Sequence, residues 1–261
     1  MADALVTYAV TDVHIARITL DDPARRNALS DAMLDQLIGA CERARDDDEV
    51  RVVVIGTSHE RIFSAGGDLR ALASDSSAVE KFADLDRFPR LVSLIGKLHK
   101  PVICAAGGDV LAGAFGLALA CDFIIAKDGV SFGCPEINVG LFPFMISALI
   151  YRNLPRMKAN ELMLLGKPVT AAEALTWGFV NRVVPAAQFD DAVTEWAREL
   201  VGTSPLLMRM GKDALDATRD LALPEALDAL RAQLALAFTT ADIREGVTAF
   251  LERREPRWTG R

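Results

Sequence analysis

The residue best suited to acid–base chemistry in this sequence is a lone carboxylate in an apolar stretch that contains glycines. Glu136 lies in SFGCPEINVG, residues 131–140, and the nearest cations along the chain are Lys127 and Arg152. A carboxyl group that is buried without a counter-ion has a raised pKa, which suits proton transfer near neutral pH. The pattern makes Glu136 a candidate for proton transfer, and the alternative interpretation is an exposed glutamate in a turn.

Two glycine-rich segments could supply backbone hydrogen-bond donors. They are IFSAGGDLRAL (62–72) and AAGGDVLAGAFG (105–116), and neither matches a dinucleotide or phosphate loop of the form GxGxxG or GxxxxGK[ST]. Gly67 and Gly113 each precede or open a predicted helix, where the helix dipole favours negative charge. If both N–H groups converge on one carbonyl oxygen, they form an oxyanion hole. Tight packing of helix on strand is the alternative explanation of these glycines.

Other kinds of catalytic or metal site find no support in the sequence. There is no GxSxG motif, no HExxH motif and no cluster of Cys and His. The three histidines have no Ser or Cys partner at a recognisable spacing, and the four cysteines form no CxxC pair. We therefore expect reduced thiols and no bound metal.

The elements that must position these residues alternate between strands and helices. VHIARITLDDP has the period of a half-buried strand, and Ser30 caps an amphipathic helix after it. Three apolar strands follow, at 50–56, 101–108 and 121–129, with a wholly apolar helix before the last. This order predicts an α/β fold. From about residue 144 the chain is mainly helical, and we divide it into a core, 1–185, and a helical tail, 186–261.

The overall composition narrows the class of protein. The chain has 261 residues, is 51% hydrophobic and carries a net charge of -7, which disfavours nucleic acid as a partner. Its start lacks the pattern of a signal peptide. The longest apolar run, 110–121, is shorter than the roughly 20 residues that cross a bilayer. These features predict a soluble cytoplasmic protein without a membrane partner.

Five segments, in order along nearly the whole chain, resemble the crotonase superfamily, the enoyl-CoA hydratase/isomerase family. The segments are ITLDDPARRNALS, FSAGGDL, KPVICAAGGDVLAGAFGLALACD, FGCPEINVGLFP and EGVTAFLERREPRW. The resemblance implies an α/β fold, a spiral of ββα units with a C-terminal all-helical trimerisation module, and trimers that pair into hexamers. It also implies an acyl-CoA thioester as the substrate, so that coenzyme A is part of the substrate and no cofactor is bound permanently.

The resemblance also implies roles for individual residues. The backbone N–H groups of Gly67 and Gly113 are the oxyanion donors, and Glu136 is a catalytic carboxylate. The positions that bind coenzyme A in the family correspond here to Arg25, Ala28, Ala65, Asp68, Phe250 and Arg253.

Two departures from the family pattern bear on the reaction. Hydratases of the family carry two catalytic glutamates, and the first of them falls here at Gly116. Glycines that usually follow the second glutamate are replaced by Phe144, Met145 and Ile146. A single carboxylate can still move a proton from one carbon to another, so we expect an isomerase-like reaction on an enoyl-CoA. The alternatives are a hydratase of fatty-acid or related acyl-CoA breakdown, with Asp109 or a water as its second polar group, and a catalytically silent oligomer that binds acyl-CoA.

Overall fold

The computed structural model describes residues 4–11, 13–68, 77, 82 and 85–261. The sequence predicted a short helix starting near Asp68, and the residues that would form it lie outside this described part of the chain.

Six strands form the larger sheet: β1 (Val6–Val10), β2 (Ile15–Leu20), β3 (Val52–Thr57), β5 (Val102–Ala106), β7 (Phe123–Lys127) and β10 (Arg182–Val184). Their order in the sheet is β1-β2-β3-β5-β7-β10. Strand β1 runs antiparallel to β2, and the pairs from β2 to β10 are parallel. Ala16, Ile18 and Leu20 are completely buried, as the alternation in β2 predicted. The sequence pattern did not reveal β1.

Four shorter strands form the second sheet, in the order β4 (Ile62–Ser64), β6 (Asp109–Leu111), β8 (Ser131–Gly133) and β9 (Val169–Thr170). Strands β4, β6 and β8 are parallel, and β9 is antiparallel to β8. Along the chain, β3, β5 and β7 of the larger sheet are followed by β4, β6 and β8 of the smaller one. Each pair of strands with the helix after it is one turn of a spiral of ββα units.

The described part of the chain contains these α-helices: α1 (Asp31–Asp46), α2 (Arg87–Gly96), α3 (Gly113–Ala120), α4 (Phe144–Asn153), α5 (Arg156–Leu165), α6 (Ala171–Trp177), α7 (Phe189–Val201), α8 (Pro205–Thr218), α9 (Leu223–Ala237) and α10 (Ala241–Glu252). The predicted cap of α1 is present, because the Ser30 side chain accepts the Met33 N–H. Helix α3 is buried from Ala114 to Leu119, which fits its wholly apolar sequence. Short 3-10 turns occupy Pro23–Arg25, Pro135–Val139 and Ala186–Gln188.

Apolar side chains fill both faces of the larger sheet. One face packs against the spiral helices and the smaller sheet. On the other face, Ala192, Val193 and Ala197 of α7 pack against alternate residues of the central strands. The first helix of the predicted tail is therefore bound to the core. Lys212 of α8 also reaches the core, where it pairs with the Asp122 carboxylate.

The end of the tail leaves much apolar surface uncovered. Helix α9 has no buried residue. Leu230, Leu234 and Phe238 follow each other at a spacing of four residues, which predicts an apolar helix face. Leu234 is 53% exposed and Phe238 is 61% exposed, so these two side chains do not pack into the core of their own chain.

Candidate active site

Three parallel strands of the smaller sheet end side by side, and each leads into one of the predicted catalytic positions. Strand β4 precedes the loop to Gly67, β6 leads through Ala112 into Gly113, and β8 is followed by the turn that carries Glu136. The Ala112 N–H donates to the Gly133 carbonyl over 2.8 Å, which joins the ends of β6 and β8. The carboxyl ends of neighbouring parallel strands are a common place for ligands, so the fold gathers these separate segments at one edge.

The first glycine loop lies directly against the start of α3. A side chain on Gly66 would overlap the Ala112 Cβ, and its Cβ would lie 3.0 Å from the Gly113 nitrogen. Gly66 has φ +87° and Ala112 has φ 53° and ψ -130°. A non-glycine residue at positive φ is strained, and such strain is concentrated at functional sites. The backbone on both sides is thus held in a close approach that neither segment would adopt alone.

Two unpaired backbone donors face this junction. Among the described residues, neither the Gly67 N–H nor the Gly113 N–H has a hydrogen-bond acceptor in the protein. A methyl group placed on Gly113 would lie 3.7 Å from the Gly67 nitrogen, so the two donors border the same small space. Gly113 is also the first residue of α3, where the helix dipole adds a partial positive charge. This arrangement suits a carbonyl oxygen that gains negative charge.

A turn near the N-terminus holds the first glycine loop in place. The Leu29 N–H donates to the Gly66 carbonyl and the Ala65 N–H donates to the Arg26 carbonyl. Asn27 is completely buried at φ 51°. Its amide donates to Thr57 Oγ1 and to the Phe63 carbonyl, while its Oδ1 accepts the Asp22 N–H. Asparagine tolerates this backbone region better than most other side chains. Through these hydrogen bonds, Asn27 joins the turn to both sheets.

Glu136 sits in the 3-10 turn after β8 with one oxygen shut off from solvent. Its Oε2 atom is buried and has no hydrogen-bond partner in the described structure. Burial raises the pKa of the Glu136 carboxyl above its ordinary value of 4.5, and a bond to its own backbone opposes the shift only in part. Buried polar atoms are nearly always paired, so the free Oε2 is available to a group from outside the chain.

The raised pKa predicts how stability depends on pH. The folded protein binds the Glu136 proton more tightly than the unfolded chain. The ionised carboxylate therefore lowers the free energy of unfolding, an effect that is absent below the unfolded pKa and grows as pH rises through the folded pKa. We expect Glu136→Gln to raise the melting temperature at about pH 8, with the gain shrinking towards pH 4.5. Thermal unfolding across this range measures it. The exposed Glu60 gives the control, since Glu60→Gln should show no such trend.

The position of the first family glutamate has no room for a side chain. A Cβ on Gly116 would overlap Ile146 Cγ2 and lie 3.0 Å from both Ile146 Cβ and Phe88 Cζ. Real Cβ atoms essentially never come as close as this position does to Ile146 Cγ2, so α3 and α4 pack closely because residue 116 has no side chain. The substituted residues after Glu136 and the glycine at 116 therefore belong to one packing arrangement.

This packing predicts a cost for any side chain at residue 116. We expect Gly116→Ala to lower the free energy of unfolding by about 1–3 kcal/mol through overpacking. Gly39 on α1 has nothing within 4 Å of the same added methyl group, so Gly39→Ala should gain up to about 1 kcal/mol from helix propensity. Urea unfolding of both variants measures the difference. Equal stability of the two would contradict the packing.

Comparison with known proteins identifies the family. Residues 11–261 match the family model described as enoyl-CoA hydratase/isomerase. The chain belongs to the enoyl-CoA hydratase/isomerase family. A carnitinyl-CoA dehydratase of Salmonella arizonae is 38% identical over 252 residues, which cover 94% of this chain and 95% of that protein. The same enzyme of Salmonella agona is 37% identical over 253 residues, covering 95% of each chain.

Solved structures of the family share the whole architecture. An enoyl-CoA hydratase of Mycobacterium smegmatis superposes with a TM-score of 0.94 at 30% identity, covering 98% of this chain and 99% of that one. The human enoyl-CoA hydratase domain-containing protein 3 gives a TM-score of 0.93 at 29% identity, over 98% and 100%. The predicted crotonase-type α/β spiral is confirmed, and the chain is an acyl-CoA enzyme of this family.

The family positions for coenzyme A fall into two groups in the structure. Arg25, Ala28 and Ala65 lie on the N-terminal turn and the first glycine loop that it holds, and Asp68 follows that loop. Arg25 is exposed and within 3.9 Å of Asp22. Phe250, which is 83% exposed, and Arg253 lie at the end of α10. No hydrogen bond or ring contact among the described residues joins the second group to the first.

Asp109 has a structural partner. Its carboxylate accepts the Ser131 N–H over 2.8 Å and so joins the starts of β6 and β8. This contact gives Asp109 a structural role at the starts of the two strands, whereas Gly113 and Glu136 follow the ends of the same strands.

Several residues that shape the site were not singled out for it from the sequence. Asn27 was visible only as part of the quoted turn motif, where a buried amide in a positive-φ turn is a recognisable device. Nothing in the residue type of Ala112 indicates that its φ is positive. Phe88 reaches Gly116 from a distant helix, and no local pattern indicates this contact.

The described residues also bear on metals and membranes. They contain no group of three or more Cys, His, Asp or Glu side chains placed to hold a metal ion. All of their cysteines are free thiols rather than disulfides, and Cys41, Cys104 and Cys134 are buried. None of the described helices has the length and apolar character needed to cross a bilayer.

Proposed function

We propose that this acyl-CoA enzyme moves a proton within an enoyl-CoA thioester, in an isomerase-like reaction. Gly67 and Gly113 bind the thioester oxygen through their N–H groups, and Glu136 is the acid and base. The observation that carries the proposal is the buried, unpaired Oε2 of Glu136, in a site where the other family carboxylate is replaced by Gly116.

The reaction balances with one carboxylate. In a 3-enoyl-CoA, the Glu136 carboxylate takes a proton from C2, and the electron pair of the broken C–H bond moves onto the thioester oxygen as a dienolate. The protonated Glu136 then gives the proton to C4, and the double bond ends between C2 and C3. The two N–H donors and the N-terminus of α3 favour the charge on the oxygen between these steps. No redox partner is consumed.

Burial of Glu136 suits both halves of this reaction. Its raised pKa makes the carboxylate a stronger base than an exposed glutamate, and the neutral acid is stable enough to hold the proton. Because the rate needs the ionised form, kcat/KM should rise with pH until this carboxyl is deprotonated.

The test is a product assay on matched 3-enoyl- and 2-enoyl-CoA thioesters. We expect the enzyme to convert 3-enoyl-CoA to 2-enoyl-CoA. With 2-enoyl-CoA as the substrate, we expect little 3-hydroxyacyl-CoA to form. Rapid formation of 3-hydroxyacyl-CoA, at about 10 per second or more, would reject the one-carboxylate reaction.

A second candidate is addition or removal of water. Its support comes from the relatives named carnitinyl-CoA dehydratase at 37–38% identity. This reaction needs a second group to orient water, and the Asp109 carboxylate already accepts the Ser131 N–H. The same product assay separates the two candidates. Turnover that is lost in Glu136→Gln would also exclude a silent acyl-CoA-binding oligomer.

Coenzyme A is bound, in this proposal, by its family positions. Arg25 and Arg253 are exposed cations that offset the acidic character of the chain for the phosphates of the ligand.

The division into a core, 1–185, and a tail, 186–261, is retained, although α7 packs on the sheet. Helix α8 also contacts the core through Lys212, so the part of the tail free for self-association is mainly α9, which has no buried residue. A cytoplasmic location remains a prediction from the sequence.

We further propose a trimer or a dimer of trimers, because apolar residues of α9 are exposed. We expect sedimentation of the 28.2 kDa chain at micromolar concentration to give a trimer or hexamer. Leu234→Glu with Phe238→Glu should shift it towards monomer, since both side chains are more than half exposed and buried charges oppose association. Gln233→Glu adds one charge to the same helix as a control. A wild-type monomer would contradict the proposal.

A further inference from the structure

The face of α3 that holds the proposed oxyanion donor continues one turn along the helix to Gly116. Residues three apart lie on the same face of a helix, and side chains point back towards its N-terminus. Gly113 and Gly116 have this spacing at the start of α3. Gly116 is therefore about one helical turn, roughly 5 Å, from Gly113 along α3. If the Gly113 N–H binds the thioester oxygen as proposed, the first acyl carbons lie close to Gly116.

This space is filled by apolar atoms from two other helices. Ile146 of α4 and Phe88 of α2 both lie within 3.0 Å of where the Gly116 Cβ would be. Ile146 is 3% exposed and Phe88 is also buried. A water molecule is stable in a protein interior only with two to four polar partners. The three atoms nearest to the Gly116 Cβ position are all carbon, so none of them can hydrogen-bond to an ordered water there.

We propose that Ile146 is a specificity-determining residue that keeps water away from the reacting carbons. The inference rests on the proposed proton shuttle. With water excluded, the proton that Glu136 takes from C2 returns to C4 before it exchanges with solvent, and hydroxide is not delivered to the double bond. Ile146 thus decides between proton transfer and the competing reactions with water, and Glu136 supplies the proton transfer itself.

The first experiment follows the transferred proton. A 3-enoyl-CoA is converted in D2O, and mass spectrometry measures deuterium per molecule of 2-enoyl-CoA formed. Wild type should incorporate well under one deuterium per turnover, and Ile146→Ala should raise this value severalfold. Ile150 lies one turn further on α4 and is completely buried, so Ile150→Ala removes the same atoms without opening the space at Gly116. It should incorporate deuterium as wild type does.

A second experiment tests the contact independently of activity. In the presence of Ile146, Gly116→Ala should be destabilising, and in the Ile146→Ala background this cost should largely disappear. A double-mutant cycle on unfolding isolates this coupling. With Ile150→Ala in place of Ile146→Ala, the coupling should be much smaller.

The outcomes separate the inference from the proposed function. If wild type turns over no enoyl-CoA by isomerisation, the proposed function is rejected and the inference falls with it. If wild type isomerises but already incorporates one deuterium per turnover, or if Ile146→Ala matches Ile150→Ala, the proton shuttle stands and the role of Ile146 is rejected. Deuterium that rises in Ile146→Ala alone, together with the stability coupling, supports it.

Discussion

Glu136→Gln should lower kcat by about 100- to 10 000-fold, the usual contribution of a positioned general acid and base. The amide has nearly the same shape as the carboxyl group, but it cannot take or return a proton. Binding of an acyl-CoA should stay within a few-fold, because the proposed contacts of the thioester oxygen and of coenzyme A lie on other residues. Steady-state kinetics on a 3-enoyl-CoA, with calorimetric binding of a saturated acyl-CoA, measures both quantities.

The control for this prediction is Asp109→Asn. It is also nearly isosteric, and its amide oxygen can still accept the Ser131 N–H that Asp109 accepts now. Its rate should therefore stay close to that of wild type. If Asp109→Asn lost as much activity as Glu136→Gln, Asp109 would have to belong to the proton pathway. If Glu136→Gln lost binding and rate together, Glu136 would be a structural residue.

Gly113→Val should lower kcat/KM by about 100- to 1000-fold, as much as the loss of one oxyanion donor, because its side chain keeps the thioester oxygen away from the Gly113 N–H. The valine Cβ would stand 3.7 Å from the Gly67 nitrogen and 3.5 Å from Leu29 Cδ1. These are ordinary contacts, so the chain can fold, but the branched side chain fills the space between the two donors. Circular dichroism checks folding and enzyme kinetics check the loss.

Gly39→Val is the matched control for this second prediction. Gly39 lies on α1, and a side chain there meets nothing within 4 Å, so activity should be unchanged. A fully active Gly113→Val would remove Gly113 from the site. Loss of fold in Gly113→Val, with Gly39→Val intact, would instead indicate that the junction with the first glycine loop tolerates no branched side chain.

The sequence revealed those parts of the fold that depend on local patterns. The strand face of Ala16, Ile18 and Leu20, the Ser30 cap and the buried helix α3 each follow from the periodicity or capping of a few neighbouring residues. Strand β1 was missed because it lies at the sheet edge with three of its five residues exposed and none buried, which weakens the alternation. The apolar run FVNRVVP, residues 179–185, predicts a last strand, and the strand that forms is shorter, Arg182–Val184, since ends of elements depend on tertiary contacts.

The candidate site was predictable only in its chemical groups. Glu136 and the two glycines stand out as residue types, and the family motifs gave them roles. Their surroundings depend on contacts between distant segments, such as Ile146 against Gly116 or Asn27 against Phe63. The type of a residue indicates its chemical group, but the residue that packs against it is determined by the tertiary structure.

Because the proposed oxyanion donors are main-chain N–H groups, evolution cannot remove them by exchanging a functional group. Any residue except proline has the same donor, and the requirement on residues 67 and 113 is only that their side chains leave space. Proton handling, in the proposed reaction, depends instead on the side chains of residues 136 and 146 and on the absence of one at residue 116. A lineage of such enzymes can therefore inherit the stabilisation of an enolate unchanged and diverge in reaction through very few substitutions, provided that coupled positions such as 116 and 146 change together.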